Sequence, residues 1–377
     1  LVTIACASLF ARSLKADAQT IDQTTFAYIG SFTTAQRKAY GVGVEVYALN
    51  RENGTMTLVQ RLGGLVNPSF LTLSPDGRFL FAAHGDGDYA SAFVLDPTNG
   101  HARLLNTAKT GGLNGARAIT DRAGQALLVA NYASGNVSVL PIAADGRLLE
   151  ATQTVPMTGD PGPHRLEQTS SHPHDVVFDP SGRYVLVPDK GLDRIFVFHY
   201  DPDRLHLSPT AQRSVQSRPG AGPRHAVFHP ALPYVWVINE LDNTIATYRF
   251  DTNDGRLTLQ QILSTLPADH FTGNTAAEIA LSPDGRFLYG SNRGHDSIVT
   301  YDIDQSNGLL HALNWQPTQG HGPRFFGIAA GSNLLLVANE QSDSIIRFRI
   351  NPMTGALNPV GEILASPTPV SIVFSKN

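Results

Sequence analysis

Apolar residues in this chain come in short runs punctuated by Gly, Pro, Asp and Asn, and the punctuation repeats. The clearest copy is AEIALSPDGRFLYGSNRGHDSIVTY from Ala277. HDVVFDPSGRYVLVPDKGLDRIFVFHY from His174 and RHAVFHPALPYVWVINELDNTIATYRF from Arg224 align with it, and further copies start at Ser69, Arg117 and Arg324. Each copy reads as a strand, a tight turn, a second strand ending in Asn or Asp, a polar loop and a third strand. The strand segments are rich in β-branched, aliphatic and aromatic residues. In Ser282-Pro283-Asp284-Gly285, Pro and Gly supply the fixed and the positive φ that a tight turn needs. Runs with no polar interruption, such as residues 234–238, predict a strand covered on both faces. A fourth, more polar strand carries a D-x-x-x-G-x-L signature, seen from Asp251, from Asn351 and, stretched, from Asp96.

The turns at Gly77, Gly124, Gly182, Leu232, Gly285 and Ser332 step by 47, 58, 50, 53 and 47 residues, the length of one four-stranded blade. Second strands are predicted at residues 26–32, 79–84, 126–131, 184–189, 234–239, 287–292 and 334–339. The fold class is therefore all-β, a seven-bladed β-propeller. Its first copy lacks a first strand, and the chain ends on an unmatched one at residues 369–374. The two ends complete each other, so the C-terminal strand is expected to pair with the first blade and close the ring, which protects exposed edges. Residues 26–377 form a single domain. The longest insertion, residues 152–171, is expected to be a surface loop near the axis.

Composition changes this picture little. The chain has 377 residues, 42% of them hydrophobic, and a formal net charge of -4. No basic excess favours nucleic acid or an anionic membrane, and no segment is long and apolar enough to span a bilayer. The single Cys6 excludes an intramolecular disulfide. Residues 1–25 differ from the rest: an apolar run to Phe10, a polar stretch, and Ala16-Asp17-Ala18 in the small-x-small form of a cleavage site. They are expected to be a signal peptide or a disordered N-terminus, placing the protein in the periplasm or outside the cell, with the cytoplasm as the alternative. A monomer is expected.

In a propeller, the loop entering each first strand and the loop leaving each second strand share one surface around the channel. Entering loops carry His172 and His174, Arg224 and His225, Glu278, and Arg324. Leaving loops carry Lys190 and Arg194, Glu240, Arg293 and His295, and Glu340, whereas the first three blades offer mostly Asn67, Asn131 and Tyr132. Ionisable groups thus gather on one arc of four blades. Guanidinium forks there suit carboxylate, phosphate or an oxyanion, and a His beside a carboxylate suits acid–base work near neutral pH. Structural roles compete: His174 could pair with Asp175, and Arg224 with Glu240. Serine-hydrolase elbows, HExxH, P-loop and dinucleotide fingerprints are all missing. His172 and His174 could ligate a metal, but no carboxylate-rich cluster accompanies them.

The strings HPHDVVFDPSGRYVLVPDKGLDRIFVFHYD, GAGPRHAVFHP, VINELDNTI, AAEIALSPDGRFLYGSNRGHDSI and ANEQSDSI resemble the seven-bladed propeller lactonase family. This family comprises bacterial 6-phosphogluconolactonases and fungal 3-carboxymuconate lactonizing enzymes. The likeness runs over roughly residues 26 to 374 and is weaker at Gly85-Asp86-Gly87 and Arg122-Ala123-Gly124. It implies catalytic roles for His174, Arg224, Glu240 and Arg293; the loop reading adds His172, Arg194, His225, Glu278, His295 and Arg324 as substrate-binding candidates. It implies no cofactor and no metal. The expected activity is hydrolysis of a small anionic or sugar lactone. The alternatives are a muconate-type cyclase, and an exported propeller that binds a ligand or protein without catalysis. Export would argue against a phosphorylated substrate.

Overall fold

The computed structural model of the chain describes residues 24–270 and 273–376. Within them the strands form seven antiparallel sheets, six of four strands and one of five. Each sheet is a blade. In blades 2 to 7 the chain starts at the innermost strand and works outward, as in Pro223–Phe228, Tyr234–Asn239, Thr244–Phe250 and Leu257–Ser264 of blade 5. Blade 1 is built from both ends: Pro369–Phe374 is its innermost strand and pairs antiparallel with Thr24–Ser31. Tyr28 lies opposite Val373 and Ile29 opposite Ile372. Thr25 Oγ1 donates to the Ser375 carbonyl at 3.1 Å, and Phe26 N donates to Ser375 Oγ at 2.9 Å. The closure expected from the two unmatched ends is the one observed. The expected leader lies outside the described residues, except Thr24 and Thr25, which open the second strand of blade 1.

The core lies between blades. Second strands Phe79–His84, Ala126–Asn131 and Leu334–Asn339 are buried at every position. Their side chains alternate between two neighbours, so both faces must be apolar. Trp236 and Ile238 of blade 5, for example, pack with Leu288, Val299 and Tyr301 of blade 6.

The D-x-x-x-G-x-L signature is not in the fourth strand but in the turn leading to it, since the strand of blade 5 begins at Leu257. The turn is a docking point for the preceding blade. A Cβ on Gly308 would lie 2.4 Å from Tyr234 Cγ, and Gly308 itself has φ +69. Trp236 Nε1 donates to the Gly308 carbonyl at 3.2 Å. Tyr28 to Gly100 and Tyr289 to Gly355 repeat the contact in other blades, each at 3.0 Å. Glycine is required there twice over, by backbone conformation and by the aromatic ring against it. The insertion at 152–171 is a loop only in part, because Gln153–Pro156 forms the fourth strand of blade 3.

Candidate active site

The loops of the mouth are held by Asp carboxylates. Asp189 ends the second strand of blade 4 and accepts from the backbone N–H groups of His172, Gly191 and Leu192 at 2.8, 3.0 and 3.0 Å. Ser171 Oγ donates to it as well. Four residues on, Asp193 adopts φ 51, and its carboxylate accepts from Gly220 and Gly222, just ahead of Arg224. Asp296 at φ 53 does the same for Gly322, just ahead of Arg324, and Asp343 at φ 51 for Thr368. A left-handed Asp in the leaving loops of blades 4, 6 and 7 thus anchors the entering loop of the next blade. Asp and Asn tolerate that conformation best among residues with a Cβ.

These loops enclose a cavity of about 210 Å³ on the axis. His174, Arg224, His225, Glu240, Arg293 and Arg324 line it, together with Arg37, Tyr132, Glu167 and Lys190 and an apolar wall of Phe32, Phe70, Phe325 and Val370. At this volume it suits a compact ligand rather than a polymer. Its wall carries five cationic side chains against two carboxylates.

Glu240 is the hub of the charged side. Its Oε2 accepts from Arg224 Nε at 2.9 Å, and its Oε1 accepts from Lys190 Nζ at 2.9 Å and lies 3.3 Å from Arg293 Nη2. Burial pushes this carboxyl up, but Arg293, Lys190 and Arg224 outweigh it and hold Glu240 well below the carboxylate range. Arg224 is 2% exposed. Nη1 donates to the Ala277 carbonyl at 2.6 Å and sits 3.2 Å from both ring nitrogens of His225, which places it over the face of that ring. Burial and the neighbouring Arg293 lower Arg224 to about 9, so it remains cationic at neutral pH. For Lys190, burial acts downward, yet Glu240 and Tyr132 with the bond to Glu167 leave a net upward shift.

His174 packs edge-on to Tyr132 and His225, with ring centroids 5.5 and 5.1 Å away. Burial first, then Arg224 and His225, drive its pKa well below the usual value, so the imidazole is neutral. Its Nδ1 is buried without a hydrogen-bond partner. The pairing with Asp175 does not form. Asp175 instead accepts from Ala226 N at 2.8 Å and lies 3.0 Å from Arg117 Nε.

Beneath the cavity, Arg117 reaches from blade 3 toward Asp175 of blade 4 and Glu278 of blade 6, while its guanidinium carbon lies 4.4 Å from the Phe70 centroid of blade 2. Glu278 is buried behind the wall rather than in it; burial outweighs Arg117 and Arg224 and raises its pKa. It accepts from His225 Nδ1 at 3.1 Å. His225 in turn is held well below its usual pKa by burial and by Arg224. The bottom of the site is thus a stack: Arg117 and His225 on Glu278, and Arg224 on His225.

Besides Glu278, three candidates are not brought to the cavity. His172 stacks on Tyr132, with centroids 4.5 Å apart, and donates from Nδ1 to the Tyr132 carbonyl. Arg194 turns away to Ser214 Oγ at 3.3 Å. His295 lies on the rim against His270 and bonds Ser297 Oγ. Arg37, Arg117, Lys190, Tyr132 and Glu167 were not selected as site residues, although Lys190 and Tyr132 lie in leaving loops that were. The mouth is therefore less one-sided than expected, since blade 1 contributes Arg37. Among the described residues no group of three or more His, Cys, Asp or Glu could hold a metal ion.

The family profile described as lactonase, 7-bladed beta-propeller, matches residues 26–374. The chain is 33% identical to a 6-phosphogluconolactonase of Formosa agariphila over 89% of its length and 96% of that protein. It is 30% identical to the 6-phosphogluconolactonase of Bacillus subtilis, covering 92% of this chain and 97% of the relative. Among solved structures, a putative 6-phosphogluconolactonase of Bacteroides fragilis superposes with a TM-score of 0.87 at 31% identity, covering 95% of this chain and 99% of that one. A periplasmic gluconolactonase of Pseudomonas aeruginosa gives 0.87 at 28% identity, over 94% and 99% of the two chains.

Proposed function

The chain belongs to the seven-bladed β-propeller lactonase family, and on that premise we propose that it hydrolyses a sugar δ-lactone to the free acid. The observation that carries this reading is the convergence of a neutral imidazole, His174, and two guanidinium groups, Arg224 and Arg293, on one small cavity. The lactone carbonyl oxygen lies toward Arg224 and Arg293. His174 takes a proton from water as the water oxygen bonds to the carbonyl carbon. The carbonyl electron pair moves onto its oxygen, and the guanidinium groups stabilise that oxyanion. Collapse breaks the bond to the ring oxygen, which receives the proton from His174, and the hydroxy acid leaves. Glu240, saturated by three cations, is a poor base at neutral pH and serves to position Arg224, Arg293 and Lys190.

The test is hydrolysis of glucono-δ-lactone and its 6-phosphate by the purified protein, followed by acid release. Single replacements of His174, Arg224 or Glu240 should each reduce it; unchanged rates would overturn the proposal. A muconate-type cyclase is the second reading, because paired arginines suit a dicarboxylate equally. Loss of muconate absorbance without lactone hydrolysis would establish it. We propose export from the pattern of residues 1–25. A mature N-terminus near Gln19 in a periplasmic fraction would bear this out, and an uncleaved cytoplasmic chain would refute it.

A further inference from the structure

The cavity has a second cationic end that the hydrolytic step does not use. Arg37 comes from the 3₁₀ turn Ala35–Arg37 of blade 1, and Arg324 from the innermost strand of blade 7. Both guanidinium groups rest on one ring: their central carbons lie 4.7 and 5.1 Å from the centroid of Phe32. Those two distances put the guanidinium carbons within about 10 Å of each other, and the Arg37 charge acts on Arg324, so a phosphoryl or carboxylate group placed between them meets both.

The arrangement is built rather than incidental. Arg37 is gripped by both oxygens of Asp86, with Nε donating to Oδ2 at 2.7 Å. Asp86 is itself fixed by Asn67 Nδ2 at 3.1 Å, and fully buried Asn67 accepts from Thr33 N at 2.7 Å. Arg324 lies 3.6 Å from Glu340. Both arginines line the cavity, whereas Asp86 and Glu340 do not. Within the cavity wall this end is therefore cationic. The close contacts of Glu240 are to Lys190, Arg224 and Arg293, and it makes no ion pair with Arg37 or Arg324.

We infer that Arg37 and Arg324, seated on Phe32, form a distal oxyanion subsite that selects lactones bearing a phosphate or carboxylate away from the reacting carbonyl. The inference rests on the lactonase reading and adds the residues that set substrate preference. Phe32 supplies a flat apolar support that keeps the two forks apart and partly desolvated.

Three glucono-δ-lactones that differ only at C6 test it: hydroxyl, carboxylate and phosphate. Wild type should prefer at least one anionic lactone over the neutral one in kcat/KM, and which one identifies the group. In Arg37→Gln and in Arg324→Gln that preference should fall at least fivefold, mainly through KM, with thermal midpoints reporting that the variants are folded. A wild type without anionic preference, or a preference that falls less than fivefold in either variant, overturns the subsite. If wild type hydrolyses none of the three, the lactonase reading fails and calorimetry decides the subsite. It stands if the 6-phosphogluconate or C6-carboxylate acid binds at least fivefold more tightly than gluconate and Arg37→Gln removes that advantage; it falls otherwise.

Discussion

Glu240→Gln separates a charge clamp from a catalytic base. The carboxylate accepts from Lys190 and Arg224, each at 2.9 Å, and lies 3.3 Å from Arg293. Neutralising it leaves three buried cations facing one another, and breaking a buried pair in this way costs about 3–5 kcal/mol. Against a total stability of about 5–15 kcal/mol, the variant should still fold. At about 2.1 cal/mol/K per residue over roughly 350 ordered residues, the unfolding entropy is about 0.7 kcal/mol/K, so the midpoint should drop by about 4–7 °C. Scanning calorimetry at pH 7 measures this. The sign with pH follows from the direction of the shift. The folded pKa of Glu240 is depressed, so its stabilisation is present above the unfolded carboxyl pKa of about 4.3 and is lost as pH falls through the lower folded value. The gap between wild type and variant should therefore persist at pH 5 and narrow only at stronger acidity. Activity should fall while an acid limb of kcat/KM remains, moved to lower pH because the Glu240 carboxylate raises the His174 pKa. A midpoint unchanged to within about 1 °C, together with loss of the acid limb, would make Glu240 the titrating base and refute the clamp.

Acid should also act through His174 and His225, whose folded pKa values are depressed by burial. The unfolded chain binds those protons first, so below about pH 6.5 urea unfolding should show stability falling by up to about 1.4 kcal/mol per pH unit per histidine. Gly308→Ala drives a Cβ to 2.4 Å from the Tyr234 ring at φ +69 and should cost about 3 kcal/mol or more in urea unfolding. Gly64→Ala, at φ +76 with nothing within 4 Å, should cost only about 1 kcal/mol. Ile372, 2% exposed in the closing strand, should cost about 2–5 kcal/mol when cut to Ala. Ending the chain after Thr368 removes the strand that covers Thr24–Ser31, and light scattering should then report aggregation.

The fold was legible because its most buried strands are also its least interrupted. Tyr234–Asn239 and Leu334–Asn339 read as strands without any partner in view, and ring closure followed from two ends that each lacked what the other had. The site was legible where loops repeat. Arg224 and Arg324 follow the same Gly-Pro pair and both reach the cavity. Position in a loop does not give direction, however. His172 and His174 are two residues apart, yet one props Tyr132 from behind and the other faces the cavity. Arg37 was missed for a different reason: it lies in the leaving loop of blade 1, which is longer than the leaving loops of the later blades and does not share their sequence, and Asp86 from blade 2 together with the Phe32 ring holds it. Arg117 was seen as the start of a repeat copy, but its reach to Asp175 and Glu278 depends on curvature around the axis that periodicity does not encode.

The most direct measurement is glucono-δ-lactone hydrolysis by wild type and His174→Gln from pH 5 to pH 8, corrected for spontaneous opening. Loss of the neutral imidazole should lower kcat by about 10²–10⁴ with the circular dichroism spectrum unchanged. Wild type should hold its rate across neutral pH and decline only well below pH 6.5, where His174 takes up a proton. A His174→Gln rate within tenfold of wild type, with the same pH profile, would contradict a neutral His174 as the base that activates water.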